Sequence, residues 1–287
     1  MTLEAMESTN VAFVSSTSTL HRVADGMIMK CPANLSKEMC TSYEKQVEDI
    51  VRNFEVERKI LEFLGDHPRT VKYRGWQEDK KALLFVEASH SSLQLYLDHH
   101  GVPSQDNQRK WSRQVINCLE YIHRRGVIHC DIRPENFLVH ATSETSLDIC
   151  LCDFGGSSCE ELGLDGLALP TPAFLDPAAL DESEASVATD IFSLGFILYF
   201  IQTGHWPFRG AGFTWDTREE ADEYEQRVER LYRRGKFPDV DHLFAGRVIE
   251  GCWTKRYMSA EEVLCDWDFE VDMERFEVLC PAADDQN

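Results

Sequence analysis

The order of apolar and polar positions divides the chain into two parts with different periodicity. In the first ~90 residues, short apolar runs predict strands at 11–14, 20–23, 27–31, 71–76 and 82–87. Ala24-Asp25-Gly26 is a turn signal between two of these strands. A long helix is predicted over 42–64, with Gly65 ending it.

Helical periodicity dominates beyond Ser89, where helices are predicted at 91–99, 106–124, 190–203 and 219–233. The predicted fold class is therefore α+β, with a small sheet-rich unit followed by a larger, mainly helical one. The boundary between the two falls near Ala88-Ser89.

One acidic residue interrupts the apolar face of the long predicted helix. That face consists of Val47, Ile50, Val51, Phe54, Leu61 and Leu64. Glu57 lies on it, between Phe54 and Leu61. An unpaired carboxylate in the interior costs several kcal/mol, so Glu57 either has a cationic partner or extends to the edge of the face. The pattern alone leaves both open.

The net charge changes the range of expected partners. Lys and Arg total 29 against 50 Asp and Glu, which gives a formal charge of −21. Charge of this sign repels the phosphate backbone, so no nucleic-acid partner is expected. A basic protein partner is compatible with it, as is a simple contribution to solubility.

Neither a membrane nor a secretory route is expected. The longest apolar stretch, 191–201, is too short to span a bilayer, and the first ten residues lack a basic secretory start. Ten cysteines without such a signal predict reduced thiols inside the cell, in cytoplasm or nucleus. Cys150, Cys152 and Cys159 lack the second pair of a zinc site, so we expect buried thiols.

Two polar clusters beside apolar strand-like runs carry the candidate chemistry. The first is His129-Cys130-Asp131-Ile132-Arg133-Pro134-Glu135-Asn136, and the second, Asp153-Phe154-Gly155, follows the run 147–151. In this order they resemble the catalytic loop and metal-binding motif of eukaryotic protein kinases of the serine/threonine type. The resemblance extends over about 11–266. It implies a two-lobed kinase fold with an antiparallel-sheet N-lobe (1–87), a mainly helical C-lobe (88–287), and ATP and Mg²⁺ between them.

The resemblance implies a role for each of five residues in phosphoryl transfer. Asp131 matches the aspartate that accepts the proton of the substrate hydroxyl and orients that group. Asn136 and Asp153 match the Mg²⁺ ligands. Lys30 matches the lysine that contacts the α- and β-phosphates, and Glu57 matches its helix partner, which would supply the missing cation.

Further residues match the same family at less specific positions. Arg133 stands where many members have lysine, and its charge can meet the γ-phosphate. Glu87 and Ser89 resemble the hinge, whose main chain holds adenine. Asp190 resembles the aspartate that braces the catalytic loop, and Thr171 a threonine near the substrate loop. Taken singly, the matched residues also read as ordinary loop, cap or surface residues. The ordered set favours the kinase interpretation, while for Arg133, Ser89 and Thr171 both interpretations stay open.

The glycine-rich phosphate loop of the family is missing. Residues 13–20 occupy its place without a glycine. Glycines let main-chain N–H groups close over phosphates, and small hydroxyl side chains do so in part. We therefore expect Ser15, Ser16 and Ser18 to contact the nucleotide with weaker affinity. The loop resembles that of small single-domain protein-kinase-like proteins of filamentous fungi.

Other departures concern the activation segment, which we define as residues 153–176. Cys130 replaces the arginine that pairs with a phosphorylated segment, so switching by that route is not expected. Ala178 replaces a glutamate, so Arg256 should be exposed or bound to another acid. The segment contains few phosphate acceptors: Ser157, Ser158 and Thr171.

The expected function is that of a monomeric kinase that transfers the γ-phosphate of Mg-ATP to a protein serine or threonine. A pseudokinase that uses the kinase surface as an interaction module is the main alternative, supported by the missing glycines, Cys130 and Ala178. A small-molecule kinase of related fold is less favoured, because residues 249–253 and 259–263 resemble the end of protein-kinase catalytic domains.

Overall fold

The N-terminal unit is a five-stranded antiparallel sheet in a computed structural model that describes residues 10–36, 42–168, 170–182, 186–210 and 217–279. Its strands are β1 (Asn10–Val14), β2 (Ser18–Ala24), β3 (Met27–Pro32), β4 (Tyr73–Gln77) and β5 (Ala82–Val86). They follow the order β1-β2-β3-β5-β4. β3 is central, with Lys30 opposite Leu20 on one side and Leu83 on the other.

The long helix α1 (Tyr43–Leu64) packs against both the sheet and the C-terminal unit. It contacts β3, β5 and the turn that begins at Phe154. The predicted apolar face is wrong at Val51, which is 52% exposed. The helix has two packing partners, so its buried face is broader than one stripe. Its buried residues are Ile50, Phe54, Val56, Glu57, Ile60, Leu61 and Leu64.

The C-terminal unit is mainly helical, with short strands around the candidate site. Its helices are α2 (Leu93–His100), α3 (Gln105–Arg124), α4 (Pro177–Glu182), α5 (Val187–Thr203), α6 (Arg218–Tyr232), α7 (Gly246–Trp253) and α8 (Ala260–Leu279). Its strands are β6 (Val127–Ile128), β7 (Phe137–Ser143), β8 (Ser146–Leu151), β9 (Ser158–Cys159) and β10 (Leu164–Asp165). β7 and β8 form a hairpin, which brings the residues just before β7 close to those just after β8.

Helix α5 is the centre of this unit because nearly every residue along it is buried. A helix that is apolar all round belongs in a core. Phe196 stacks on Trp253 of α7 at 4.6 Å. A Cβ added to Gly195 would lie 2.7 Å from the Trp253 indole nitrogen, so glycine permits this close helix crossing.

The sequence predicted the longer elements better than the shorter ones. Each strand and helix predicted from the pattern is present with ends shifted by up to three residues. α5 begins at Val187 instead of 190, because Ser186 and Thr189 form a reciprocal capping box there. The pattern did not predict α4, α7 or α8.

Candidate active site

The loop between β6 and β7 is held by one buried aspartate. Cys130 has φ 67°, a left-handed conformation that is uncommon outside glycine. The Asp190 carboxylate accepts the main-chain N–H groups of His129 at 2.8 Å and Cys130 at 3.0 Å. His123 Nε2 donates to the same carboxylate at 2.9 Å. Asp190 therefore braces the loop through bonds to its main chain.

Asp131 follows Cys130 and is oriented by Asn136. The Asn136 side-chain nitrogen donates to the Asp131 carbonyl oxygen at 2.8 Å and to its Oδ2 at 2.9 Å. The amide nitrogen of Asn136 is a donor, so the amide oxygen is the atom of this side chain that can bind a cation. Burial raises the pKa of Asp131, and the nearby Arg133 charge opposes that rise.

Arg133 is paired within the loop itself. Its guanidinium donates two parallel bonds to the Glu135 carboxylate, each 2.9 Å long. Such bidentate pairs are among the stronger hydrogen-bonded contacts in proteins. A γ-phosphate would compete with Glu135 for this guanidinium.

Lys30 connects the two units of the protein. Its ammonium donates to Glu57 Oε2 of α1 at 2.7 Å and to Asp153 Oδ1 at 2.8 Å. Glu57 does not extend to the helix edge, since its side chain is 2% exposed. The structure thus resolves the open question about Glu57 in favour of a cationic partner.

The electrostatics of this trio follow from burial and proximity. The Lys30 charge lowers the pKa of Asp153, so that carboxylate stays ionised. Burial acts to lower the pKa of Lys30, but the Asp153 and Glu57 carboxylates outweigh it and raise the pKa. Burial raises the pKa of Glu57, and the Lys30 charge acts against that rise.

Asp153 is positioned by the turn that follows it. Asp153 has φ 64°, and the next residue, Phe154, is fully buried beneath α1. The Phe154 ring lies edge-on to His129, 5.0 Å between centroids. His129 Nε2 donates to the Cys152 carbonyl at 3.0 Å. His129 therefore ties the catalytic loop to the Asp153 turn.

The predicted hinge main chain is already partly hydrogen-bonded. The Glu87 N–H donates to the Gly26 carbonyl at 2.8 Å, and the Glu87 side chain binds Arg22 at 2.6 Å. The Ser89 N–H donates to His140 Nδ1 on β7 at 3.3 Å. An adenine ring that used the Ser89 N–H would have to displace His140, whose bond is long and weak.

Hydrogen bonds to the Ser15 hydroxyl close the serine-rich loop between β1 and β2. Ser15 Oγ accepts the Ser18 N–H at 3.0 Å and the Thr17 N–H at 3.4 Å, and it lies 3.0 Å from Ser18 Oγ. Ser16 is exposed. The N–H groups of Ser15, Thr17 and Ser18 are therefore bonded within the loop. A phosphate contact by Ser15, Ser16 and Ser18 stays a prediction.

Asp176 and Arg256, which lie where the sequence departs from the family pattern, each form an ion pair. Arg256 binds Asp266, as expected for an arginine whose family partner is missing. Asp176 binds Lys255 at 2.7 Å. Thr171 Oγ1 is buried and has no hydrogen-bond partner among the described residues.

The structure brings five predicted residues into two bonded groups: Lys30 with Glu57 and Asp153, and Asp131 with Asn136. The two groups adjoin, because the N–H of Cys152, next to Asp153, donates to the Asn136 carbonyl at 2.8 Å. Glu87, Ser89 and the three serines are not bonded directly to either group in the described part of the chain. Sequence reasoning missed His123, His129, Glu135 and His140. Of these, only His129 and Glu135 carried a signal, because they lie inside the recognised motif.

Comparison with known proteins identifies the family. The model of the protein kinase domain matches residues 29–266, and the chain belongs to this family. It is 30% identical over 166 residues to calcium/calmodulin-dependent protein kinase type 1 of Macrobrachium nipponense, covering 57% of this chain and 47% of that protein. It is 28% identical over 209 residues to serine/threonine-protein kinase RAD53 of Saccharomyces cerevisiae, covering 67% of this chain and 24% of that protein.

Solved structures support the fold. The Rad53 kinase domain with SCD2 matches with a TM-score of 0.59 and 20% identity, covering 90% of this chain and 88% of that one. The same protein in complex with AMPPNP matches with a TM-score of 0.58 and 19% identity, covering 92% and 90%. The predicted α+β, two-lobed kinase fold is confirmed. The chain spans less than half the length of the curated relatives given above.

Proposed function

We propose that this protein is a serine/threonine protein kinase that binds ATP and transfers its γ-phosphate to a protein hydroxyl. The observation that carries the proposal is the Lys30 ammonium, bonded at once to Glu57 and Asp153. In protein kinases this ion pair must be formed, and the aspartate must be in place, before transfer occurs. The curated relatives named above are kinases by name.

Asp131, Lys30 and Arg133 each have a task in that reaction. Asp131 receives the hydroxyl proton and orients the hydroxyl, which contributes about 10²–10⁴-fold. Lys30 holds the α- and β-phosphates. Arg133, once released from Glu135, meets the γ-phosphate. Catalysis is then largely positioning and charge stabilisation.

The donor set fits Mg²⁺ as the cation. The Asp153 side chain is 50% exposed and ionised, and Asn136 offers an amide oxygen. Mg²⁺ is commonly held by one or two such oxygens together with substrate phosphates. The described residues contain no group of three or more His, Cys, Asp or Glu arranged for a metal. The cation would neutralise the phosphate charges.

The preferred substrate in this proposal is a basic protein segment. The chain carries −21, and Glu225 of α6 lies near enough to Arg133 of the catalytic loop for their charges to interact. Burial and Asp222 raise the pKa of Glu225, and the Arg133 charge acts against that rise. Arg133 is itself paired with Glu135. A cation on the substrate would meet these acids.

We further infer a monomer in a reducing compartment, cytoplasm or nucleus. The eight described cysteines are free thiols. Cys40, Cys280 and the N-terminal residues 1–9 lie outside the described residues. In the part of the chain that the structure describes, no helix has the length and apolar character to cross a bilayer.

Phosphate transfer from radiolabelled Mg-ATP tests the proposal. Wild type, Asp131→Ala and Lys30→Met are compared on basic and acidic protein substrates, with nucleotide binding followed by thermal shift. Transfer to the basic substrate that disappears in both variants supports the proposal. Binding without transfer favours the pseudokinase, and transfer only to small molecules favours the small-molecule kinase.

A further inference from the structure

The activation segment folds back onto its own first residues, and the two stretches of backbone pack with almost no space between them. Gly166 packs on Gly155 and Gly156: a Cβ added to Gly166 would lie 2.4 Å from the Gly155 oxygen and 2.5 Å from the Gly156 carbonyl carbon. Both are backbone atoms, which cannot move aside as a flexible side chain does. Glycine is therefore required at 166 for this approach.

A second close contact in the same place joins Gly156 and the methyl group of Ala168. A Cβ added to Gly156 would lie 2.2 Å from the Ala168 methyl carbon. The backbone of Gly156 is not in the left-handed region, so space alone excludes a larger residue there. The Gly166 N–H donates to the Ser157 carbonyl at 3.0 Å, and the Ala168 N–H donates to the Gly156 carbonyl at 3.4 Å.

The closed turn is joined to both halves of the candidate site. Ser157 is fully buried, and its hydroxyl donates to the His129 carbonyl of the catalytic loop at 3.0 Å. On the other side, a Cβ on Gly155 would lie 3.3 Å from the Asn53 carbonyl of α1, the helix that carries Glu57. A displacement of the returning chain would therefore disturb the position of Asp153.

No cation faces the segment from the position next to Asp131. Cys130 is a buried thiol, 2% exposed, and its sulfur lies 3.8 Å from Ser158 Oγ. A phosphate on the segment would find no partner there. The hydroxyl of Ser157 is inaccessible as an acceptor, because it is buried and hydrogen-bonded.

We propose that this steric latch, the contact of Gly155-Gly156 with Gly166–Ala168, holds the activation segment in its catalytic arrangement without a phosphate. Gly156, Gly166 and Ala168 are positioning residues: they fix the turn that carries Asp153, and transfer is independent of phosphorylation between 153 and 176. The inference rests on the proposed kinase function and adds how that function is controlled.

Substitutions that exchange glycine and alanine between positions 156 and 168 test the proposed latch. Gly156→Ala should lower kcat by about tenfold or more, since overpacking displaces the turn that carries Asp153. The KM for ATP should change less, because the pair of Lys30 and Glu57 lies outside the segment. The double variant Gly156→Ala/Ala168→Gly removes the opposing methyl group and should recover kcat to within about threefold. Gly166→Ala meets backbone, so Ala168→Gly should not rescue it.

Gly210→Ala is the matched control, because a Cβ there meets nothing within 4 Å. Wild type treated with a protein phosphatase, and shown by mass spectrometry to carry no phosphate, should keep its activity. Loss of activity on dephosphorylation overturns the proposal. So does a double variant that stays as impaired as Gly156→Ala. If Gly156→Ala alone does not fold at the assay temperature, the recovery of the double variant decides the question.

Hydrogen exchange of residues 153–168 separates this inference from the kinase function. Exchange there should be slow in wild type, faster in Gly156→Ala and slow again in the double variant, whether or not phosphate is transferred. That pattern in a protein without transfer supports the latch and refutes the kinase function. Equal exchange in all three proteins refutes the latch.

Discussion

Replacing Lys30 by methionine should destabilise the protein, because it leaves the buried carboxylate of Glu57 unpaired. Methionine keeps most of the apolar stem but leaves Glu57 without a cation. The Glu57 side chain is 2% exposed and that of Lys30 12% exposed, so solvent cannot take over the role of the ammonium. We expect Lys30→Met to destabilise the fold as well as to abolish transfer.

The size of the effect follows from the geometry. At 2.7 Å, with an effective dielectric of about 20, the attraction between the two charges is about 6 kcal/mol. Desolvation offsets part of it, and removal of one partner from a buried pair costs about 3–5 kcal/mol. The contact of Lys30 with Asp153 adds little, because that carboxylate is half exposed. We therefore expect a loss of about 3–5 kcal/mol in the free energy of unfolding.

The double variant Lys30→Met/Glu57→Gln is the matched control. It removes both charges, so no uncompensated carboxylate remains in the interior. It should be more stable than Lys30→Met by about 2–3 kcal/mol at neutral pH, although it carries one more substitution. Transfer should be absent in both variants because neither has the lysine.

The difference between these two variants should depend on pH in a defined direction. In Lys30→Met the lysine charge no longer opposes the effect of burial and only the main-chain bond from Phe154 still does, so the folded-state pKa of Glu57 stays above its ordinary value of 4.5. A raised carboxyl pKa costs nothing below the unfolded pKa, where Glu57 is neutral in both states. The cost grows as the pH rises from the unfolded pKa to the folded-state pKa and is constant above it.

Urea unfolding followed by tryptophan fluorescence, from pH 4 to about pH 8, measures this difference. The two variants should have equal stability at the acid end and diverge as the pH rises. Equal stability at every pH would refute the reasoning, because it would mean that the pKa of Glu57 in folded Lys30→Met does not differ from its value in the unfolded chain.

Three further outcomes follow from the same geometry. Asp190→Asn should lower the free energy of unfolding by about 2–4 kcal/mol, since its amide nitrogen would face the N–H groups that the carboxylate accepts from the loop; urea unfolding measures it. The acid limb of the activity profile should lie above the ordinary pKa of an aspartate, because burial raises the pKa of Asp131, and Arg133→Met should move that limb to higher pH. In native protein, a thiol reagent should label the exposed Cys265 well before the buried Cys130, whose pKa burial raises to about 12; early labelling of Cys130 would contradict the buried position.

Local sequence signals predicted much of the candidate site. Lys30 lies within a predicted strand, and Asp131 and Asp153 lie in short motifs beside strand-like runs. The resemblance of these motifs to the protein kinase family, which needs no tertiary information, assigned their roles. Glu57 was marked by a carboxylate on an apolar helix face, which requires either a cationic partner or an extension to the edge of the face; only the structure decided between the two. Each of these signals involves residues that are close together in the sequence, so it can be recognised without knowing how the chain folds.

Other features could not be predicted because they depend on which distant segments meet. The apolar face of α1 was wrong at Val51, since periodicity indicates that a face is buried but not how many partners cover it. The bond from Ser89 to His140 joins residues 51 positions apart, and no pattern at either end announces it. The sequence also did not predict that the Ser15 hydroxyl accepts the N–H of Ser18 within its own loop.

By itself the sequence determined the order of elements, the two-part division of the chain and the identity of the residues that carry chemistry. Those properties depend on side-chain type and on short-range spacing. The tertiary structure alone decided that Lys30 reaches Glu57, 27 positions away, and Asp153, 123 positions away, and that glycines at 156 and 166 face each other. Hydrogen bonds and steric contacts require atoms within a few ångströms, and only packing brings distant parts of a chain to that separation.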